Sequence, residues 1–174
     1  MSRPQITPTN REVRFGDEEI IVSKTDTKGR LTYVNRVFMS ISGYREAELL
    51  GQPHNIIRHP DMPKSVFGYM WETIAAGREI FAYVKNMTKT GDHYWVLAHV
   101  TPTFGADGGI VGYHSNRRTA GREALSRVEP LYASLRAEEA KYANVKDSVA
   151  AGGRILADTL ASASKGYDEF VLTL

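Results

Sequence analysis

The fold predicted is α+β: one five-stranded antiparallel sheet with short helices packed on one face, followed by a C-terminal helical extension. Three observations predict it. Two strand-like runs near the N-terminus are joined by a compact turn, and three longer strand-like runs follow one another before residue 120. Between these groups lie short stretches of helical spacing broken by Gly and Pro. From Ala120 onward glycine and β-branched residues thin out and helix formers dominate. The chain therefore divides into an N-terminal arm over residues 1–17, a sheet-and-helix domain over 18–119 and a helical extension over 120–174.

Each element has its own reason. Residues 1–17 are polar, carry two prolines and lack periodicity, and read as a loose arm with a short helix near Arg11–Phe15. "EIIVSKTDTKGRLTYVN" reads as a β-hairpin turning at Lys28-Gly29 and closed by Asn35. Val37, Phe38 and Ile41 take helical spacing up to a stop at Gly43, and a second short helix holds Leu49 and Leu50 before Gly51. Val66, Phe67, Met70, Trp71 and Ile74 recur three and four residues apart, giving a helix from Pro63 to the stop at Gly77. Pro63 suits its first position, where no backbone donor is missed, and Asp61 stands where a carboxylate can cap the free N–H groups. "EIFAYVKNMT", "HYWVLAHVTPTF" and "GIVGYHSNRRT" are strands separated by the turns "KTGD" and "GADGG". In the extension Val128, Leu135, Tyr142, Val149 and Leu156 lie seven apart, which fits a helix folded back on the sheet or a coiled-coil partner surface. Pro130 is expected to kink or restart that helix, and Gly152-Gly153 to weaken it.

Composition excludes several function classes. A net charge of +2 over 174 residues, with lysines and arginines scattered, argues against nucleic acid as a partner. The absence of cysteine removes disulfides, thiolate metal sites, iron–sulfur clusters and a cysteine nucleophile. No run approaches the roughly 18 apolar residues needed to cross a bilayer, so direct membrane insertion is not expected and the chain reads as cytoplasmic.

The stretch "GQPHNIIRHPDMPKSVFGYMW", Gly51 to Trp71, concentrates the candidate binding chemistry. Pro60 and Pro63 bias the residues before them toward extended backbone, so His54, Arg58 and His59 are displayed from a stiff segment that loses little entropy on binding. Arg58 offers a planar fork of donors to a pyrophosphate, and the start of the Pro63 helix adds backbone N–H groups. Asp61 would repel phosphate and is assigned to capping that helix or orienting Arg58 or His59. Phe67 and Trp71 lie one turn apart on the apolar face. Asn35 and Asn86 end or interrupt apolar runs, where a buried amide must find partners. No second ligand cluster supports a metal at His54, His59 and Asp61, and no catalytic acid or base is identifiable.

The element order, with "YVNRVFMSISGY", "ELLGQPHNIIRHPDMPKSVF", "VKNMTKTGDHYWV" and "VEPLY", resembles the PAS sensor domains, in particular the FAD-binding PAS domain of aerotaxis receptors, from about Asp17 to Leu135. The resemblance implies FAD held between sheet and helices, no turnover, and redox or oxygen sensing reported to a chemotaxis-type signalling partner or a second copy of the chain. It implies that Arg58, His59 and Asp61 are needed for FAD binding and that Asn35, His54, Phe67, Trp71, Asn86 and Tyr94 line the flavin cleft. Protonation of the reduced ring is expected to change the hydrogen bonds of Asn86, and the sheet to relay this to the helix beginning near Ala120. Two departures stand out: Ile80 replaces a tryptophan usual before the third strand, and the receptors' membrane anchor and long signalling module are not in this sequence. A rival reading places haem in the cleft on His93, His99 or His114; another is a ligand-free PAS dimerisation module. The cysteine–flavin photochemistry of light-sensing PAS domains is closed to this chain.

Overall fold

The computed structural model describes residues 6–174. Its sheet has the strand order β2-β1-β5-β4-β3, antiparallel throughout. β1 (Ile21–Thr25) and β2 (Leu31–Val34) form the expected hairpin, and β5 (Ile110–Thr119) pairs with β1 on one side and β4 (His93–Phe104) on the other. β3 (Ile80–Met87) is the far edge. In the first turn the Asp26 carboxylate accepts from the Lys28 and Arg30 N–H groups. Gly29 there has φ 75°, and a Cβ at Gly29 would lie 2.8 Å from the Trp71 indole.

The crossing from β2 to β3 runs through α1 (Arg36–Ser42), α2 (Glu46–Leu49), a 3-10 turn (His54–Ile57) and α3 (Lys64–Ala75). Phe38, Leu49, Ile57, Val66 and Ile74 from this crossing are buried against Ile21, Ile80 and Val96 of the sheet. Each such side chain contributes about 1.5–3 kcal/mol on burial. The register places Ser23 and Ser115 opposite one another, Ile21 opposite Arg117, Arg117 opposite Ala98 and Asn86 opposite Tyr94. Directly opposed residues share a face, so polar and apolar groups mix on the side of the sheet that meets the helices.

The arm is extended, not helical at Arg11–Phe15. Glu12 forms a parallel bridge with His93, with Val13 N–H donating to the His93 carbonyl and His93 N–H to that of Arg11. The reason is an open edge: β5 pairs with β4 only from Val96 onward, and the arm satisfies the residues of β4 that precede it. α3 begins at Lys64, one residue later than expected, with Pro63 as its cap.

α4 (Arg122–Glu139) runs through Pro130 without interruption. Ser126, whose carbonyl loses its partner there, and Pro130 both face solvent, where water can replace the bond. The chain instead turns between Glu139 and Val145, and α5 (Val145–Ala163) passes through Gly152-Gly153 before α6 (Tyr167–Leu172). This turn splits the heptad seam. Val128 and Leu135 are buried on α4 and Leu156 on α5, whereas Tyr142 is exposed in the turn. The extension is therefore folded back onto its own domain. Its helices cover the β3 edge, which would otherwise offer unpaired backbone groups: Tyr132 Oη donates to the Tyr83 carbonyl at 2.7 Å, and Phe81 N–H donates to Asp168 at 3.0 Å.

Candidate functional site

A cavity of about 290 Å³ lies between the sheet and α3. Ser23, Thr25, Asn86, Ser115 and Arg117 form part of its floor, Phe67, Met70 and Trp71 come from α3, and His54, Asn55 and Arg58 come from the proline-stiffened segment. The volume sits at the lower end of the range for small-molecule sites. Four polar atoms on its lining residues are buried without a partner: Thr25 Oγ1, Asn86 Nδ2, Ser115 Oγ and Arg117 Nη1. Buried polar groups are ordinarily bonded; these four leave hydrogen-bonding capacity unused on the residues of one cavity.

His54 and Arg117 meet at the floor. Arg117 Nη2 donates to Ser23 Oγ at 2.7 Å and to His54 Nε2. A guanidinium has no acceptor, so His54 accepts at Nε2 and carries its proton on Nδ1. Burial and the neighbouring Arg117 charge push His54 down to about 3, and burial lowers Arg117 to about 10. His54 is thus a neutral wall of the cavity. At the rim the Arg58 guanidinium lies 4.3 Å from the Phe67 ring centroid and Nη2 donates to the Met62 carbonyl at 3.0 Å. Trp71, 41% exposed, stands edge-on to Tyr113 at the mouth.

Of the nine candidates, His54, Arg58, Phe67, Trp71 and Asn86 line the cavity and the other four do not. Asn35 caps α1: its Oδ1 accepts from Val22 and Phe38 N–H, and Nδ2 donates to the Ile20 carbonyl. Its three side-chain hydrogen bonds all go to backbone. Tyr94 is fully buried in the core beside the cavity. His59 is 1% exposed, and its Nδ1 accepts from Asp61 N–H at 3.1 Å. Burial, with the Lys85 charge, lowers His59 to about 4. The Asp61 carboxylate takes Lys85 Nζ at 2.8 Å and Arg136 at 3.1 Å, joining the segment to β3 and α4. Burial works to raise its pKa, but the Lys85 hydrogen bond and charge hold it below the ordinary value.

Asp61 does not cap α3, because Glu139 at the end of α4 does. Its carboxylate accepts from Lys64 N–H at 2.8 Å, Ser65 N–H at 2.8 Å and Ser65 Oγ at 2.6 Å. The helix start is therefore filled by a protein carboxylate and is not open to a pyrophosphate, which corrects the expectation from the sequence. Arg58, with Asn55, also lines a second cavity of about 620 Å³ that His59, Lys64, Arg136 and Glu139 border.

Of the histidines considered for haem, His99 stacks on Phe81 and bonds Glu79, and His93 packs edge-on to His59; neither lines the cavity. His114 does, with Nε2 bonded to Asn116 Oδ1 at 3.0 Å. Among the described residues no group of three or more His, Asp or Glu side chains is placed to hold a metal ion, and no helix is long and apolar enough to cross a membrane. Ile80, at the position of the missing tryptophan, is buried in the core and does not line the cavity. Sequence reasoning missed Ser115 and Arg117. The signal was there in "GYHSNRRT": Tyr113, Ser115 and Arg117 alternate on one face of a strand too central to be solvated.

Comparison with known proteins agrees with this architecture. The chain is 44% identical over 136 residues to the aerotaxis receptor of Escherichia coli (strain K12), an alignment covering 78% of this chain and 26% of the receptor. It is 26% identical over 99 residues to the nitrogen fixation regulatory protein of Klebsiella pneumoniae, covering 57% of this chain and 20% of that protein. The chain thus spans about a quarter or less of the length of these relatives. Among solved structures, the light state of the blue-light photoreceptor Aureochrome1 LOV superposes with a TM-score of 0.57 at 18% identity, covering 67% of this chain and 91% of that one. Residues 31–117 match the PAS fold family, and with the five-stranded sheet, the crossing helices and the cavity between them, the chain belongs to that family.

Proposed function

We propose that this chain is a non-enzymatic sensor domain, cytoplasmic in setting, that binds FAD between sheet and α3 and reports the redox state of the ring to a signalling partner, or to a second copy of itself, through its C-terminal helices. The observation that carries this reading is the set of four unpartnered polar atoms on one cavity flanked by Phe67 and Trp71. An aromatic heterocycle with a carbonyl-rich edge has the acceptors that Asn86 Nδ2 and Arg117 Nη1 lack and the faces that the aromatic side chains cover. A flavin is such a ring, and when bound it supplies reversible oxidation and reduction. The similarity to an aerotaxis receptor supports a redox role.

The adenosine end of the cofactor would extend beyond the first cavity toward the second, which shares Asn55 and Arg58 with it and is bordered by Lys64, Arg136 and the Glu139 carboxylate. For output, β3 carries Asn86 on the cavity and, three residues away, the Tyr83 carbonyl that accepts from Tyr132 of α4. The contact is with the middle of α4, the helix that begins near Ala120. An absorption spectrum of the purified chain, with chromatography of the extracted chromophore, tests the reading. Flavin bands with FAD released are expected. A Soret band would establish haem, and a colourless chain that takes up no added flavin would leave a ligand-free interaction module.

A further inference from the structure

Arg117 sits toward the C-terminal end of β5, paired across the sheet with Ile21 on one side and Ala98 on the other, and is 3% exposed. Its partners are a hydroxyl, a neutral imidazole and the Phe38 ring, whose centroid lies 5.5 Å from the guanidinium carbon. Nη1 has no partner. Among the described residues no carboxylate forms an ion pair with it, whereas the half-buried cations Lys85 and Arg136 both pair with Asp61. A buried charge without a counter-charge is costly, and an electron-rich ligand beside it would offset that cost.

The cavity wall points to what that is. Lys28, Arg58 and Arg117 line it, and no aspartate or glutamate does. The neighbouring orphans, Asn86 Nδ2 and Ser115 Oγ, add hydrogen-bond donors beside the guanidinium. The floor therefore presents donors and positive charge on buried groups, where both act at a lower dielectric than in water.

We propose that Arg117 is the counter-charge for an electron-rich, carbonyl-bearing ring edge, and that it favours the reduced, anionic form of that ring over the oxidised, neutral one. This rests on the flavin reading above and adds to it a residue that sets both affinity and potential. Two electrons from a reductant such as dithionite and one proton from solvent leave a flavin ring with one net negative charge, spread over the pyrimidine edge that Arg117 and Asn86 suit. A cation fixed there binds the reduced form more tightly, and the midpoint potential rises accordingly.

The test uses the full chain with Arg117→Met, Arg117→Gln and Arg117→Lys variants. Each is stripped of chromophore, titrated with FAD, and then measured by reductive titration against reference dyes. Arg117→Met and Arg117→Gln should bind reduced FAD at least tenfold more weakly relative to oxidised FAD than the parent, which lowers a two-electron midpoint by about 30 mV per tenfold. Arg117→Lys, keeping the charge, should recover most of that shift. Stripped Arg117→Met should unfold at the same temperature as the parent or higher, because an unpaired buried charge has been removed; Arg117→Gln, which keeps donors for Ser23 and His54, serves if the Met variant does not fold. Flavin binding by the parent with unchanged potential and affinity in the charge-free variants would overturn this proposal and leave the flavin reading intact. A parent chain that takes up no flavin would overturn both.

Discussion

Glu139, the last residue of α4, caps α3 from outside: its two carboxylate oxygens accept from the Lys64 and Ser65 N–H groups and from Ser65 Oγ at 2.6–2.8 Å. Glu139 is 4% exposed, so the negative charge faces the positive end of the helix dipole in a water-poor setting. Ser148 of α5 donates to the Glu139 carbonyl, which adds the third helix to the same junction. Glu139→Ala leaves buried donors unsatisfied and should cost about 1–3 kcal/mol in urea unfolding. Glu139→Gln, which keeps an acceptor but no charge, should lose less. Cleavage by protease in the turn at residues 140–144 should accelerate in the same order.

Gly152 lets α5 reach that junction. A Cβ there would stand 2.5 Å from Ser65 Oγ and 2.8 Å from Glu139 Oε1, whereas at Gly153 it would meet nothing within 4 Å. The two adjacent glycines should therefore respond to alanine with opposite signs. Gly153→Ala gains helix propensity and should stabilise by up to about 1 kcal/mol. Gly152→Ala gains the same propensity but overpacks, and a net loss of about 1–2 kcal/mol is expected. Thermal unfolding of the two variants side by side checks this.

Acid should weaken the fold over a defined window. His54 and His59, pushed down by burial from 6.5 to about 3 and about 4, stay neutral in the folded chain while their unfolded counterparts take up protons. The unfolded state then binds more protons, so stability falls as pH drops from about 6.5 toward 4, by up to about 1.4 kcal/mol per pH unit for each histidine. The Asp61 carboxylate, held below its ordinary 3.8, titrates beneath this window. His59→Asn, whose side-chain oxygen can accept from Asp61 N–H as Nδ1 does, should flatten the stability curve between pH 4 and 6.5 by about one proton.

How much was legible before the structure follows from range. The β1–β2 hairpin, the helix carrying Phe67 and Trp71 and the three long strands are set by local periodicity and turn residues, and all formed where expected. The role of Asp61 was not legible, because what displaces it from α3 is Glu139, more than 70 residues along the chain. Pro130 misled for a related reason: a helix interior punishes proline through one lost bond, and nothing local says that this bond faces water. The heptad seam in the extension looked continuous because spacing alone does not register the turn after Glu139. Asn35 and Asn86 look equivalent as polar residues at strand ends. Only pairing separates them, since Asn35 finds three backbone partners while the Nδ2 of Asn86 finds none.

That difference makes Asn86 the sharper place to separate binding from folding. Asn86 is 3% exposed and its Nδ2 has no partner in the ligand-free fold, so replacing the amide with a side chain of similar size removes no bond from that donor. Asn86→Leu in the chromophore-free chain should unfold within about 1 kcal/mol of the parent. With FAD present it should bind at least tenfold more weakly, a loss of about 1.4 kcal/mol. At saturating FAD a second readout becomes possible. If the ring acts on α4 through β3, the parent should show different protease sensitivity at residues 140–144 when oxidised and when reduced, because Tyr132 and Asp168 hold the β3 edge on which Asn86 sits. The Asn86→Leu chain should show the same sensitivity in both states. A redox-dependent difference that survives in this variant would place the coupling elsewhere, with the Asp61 contacts to Lys85 and Arg136 as the remaining route from the motif to α4.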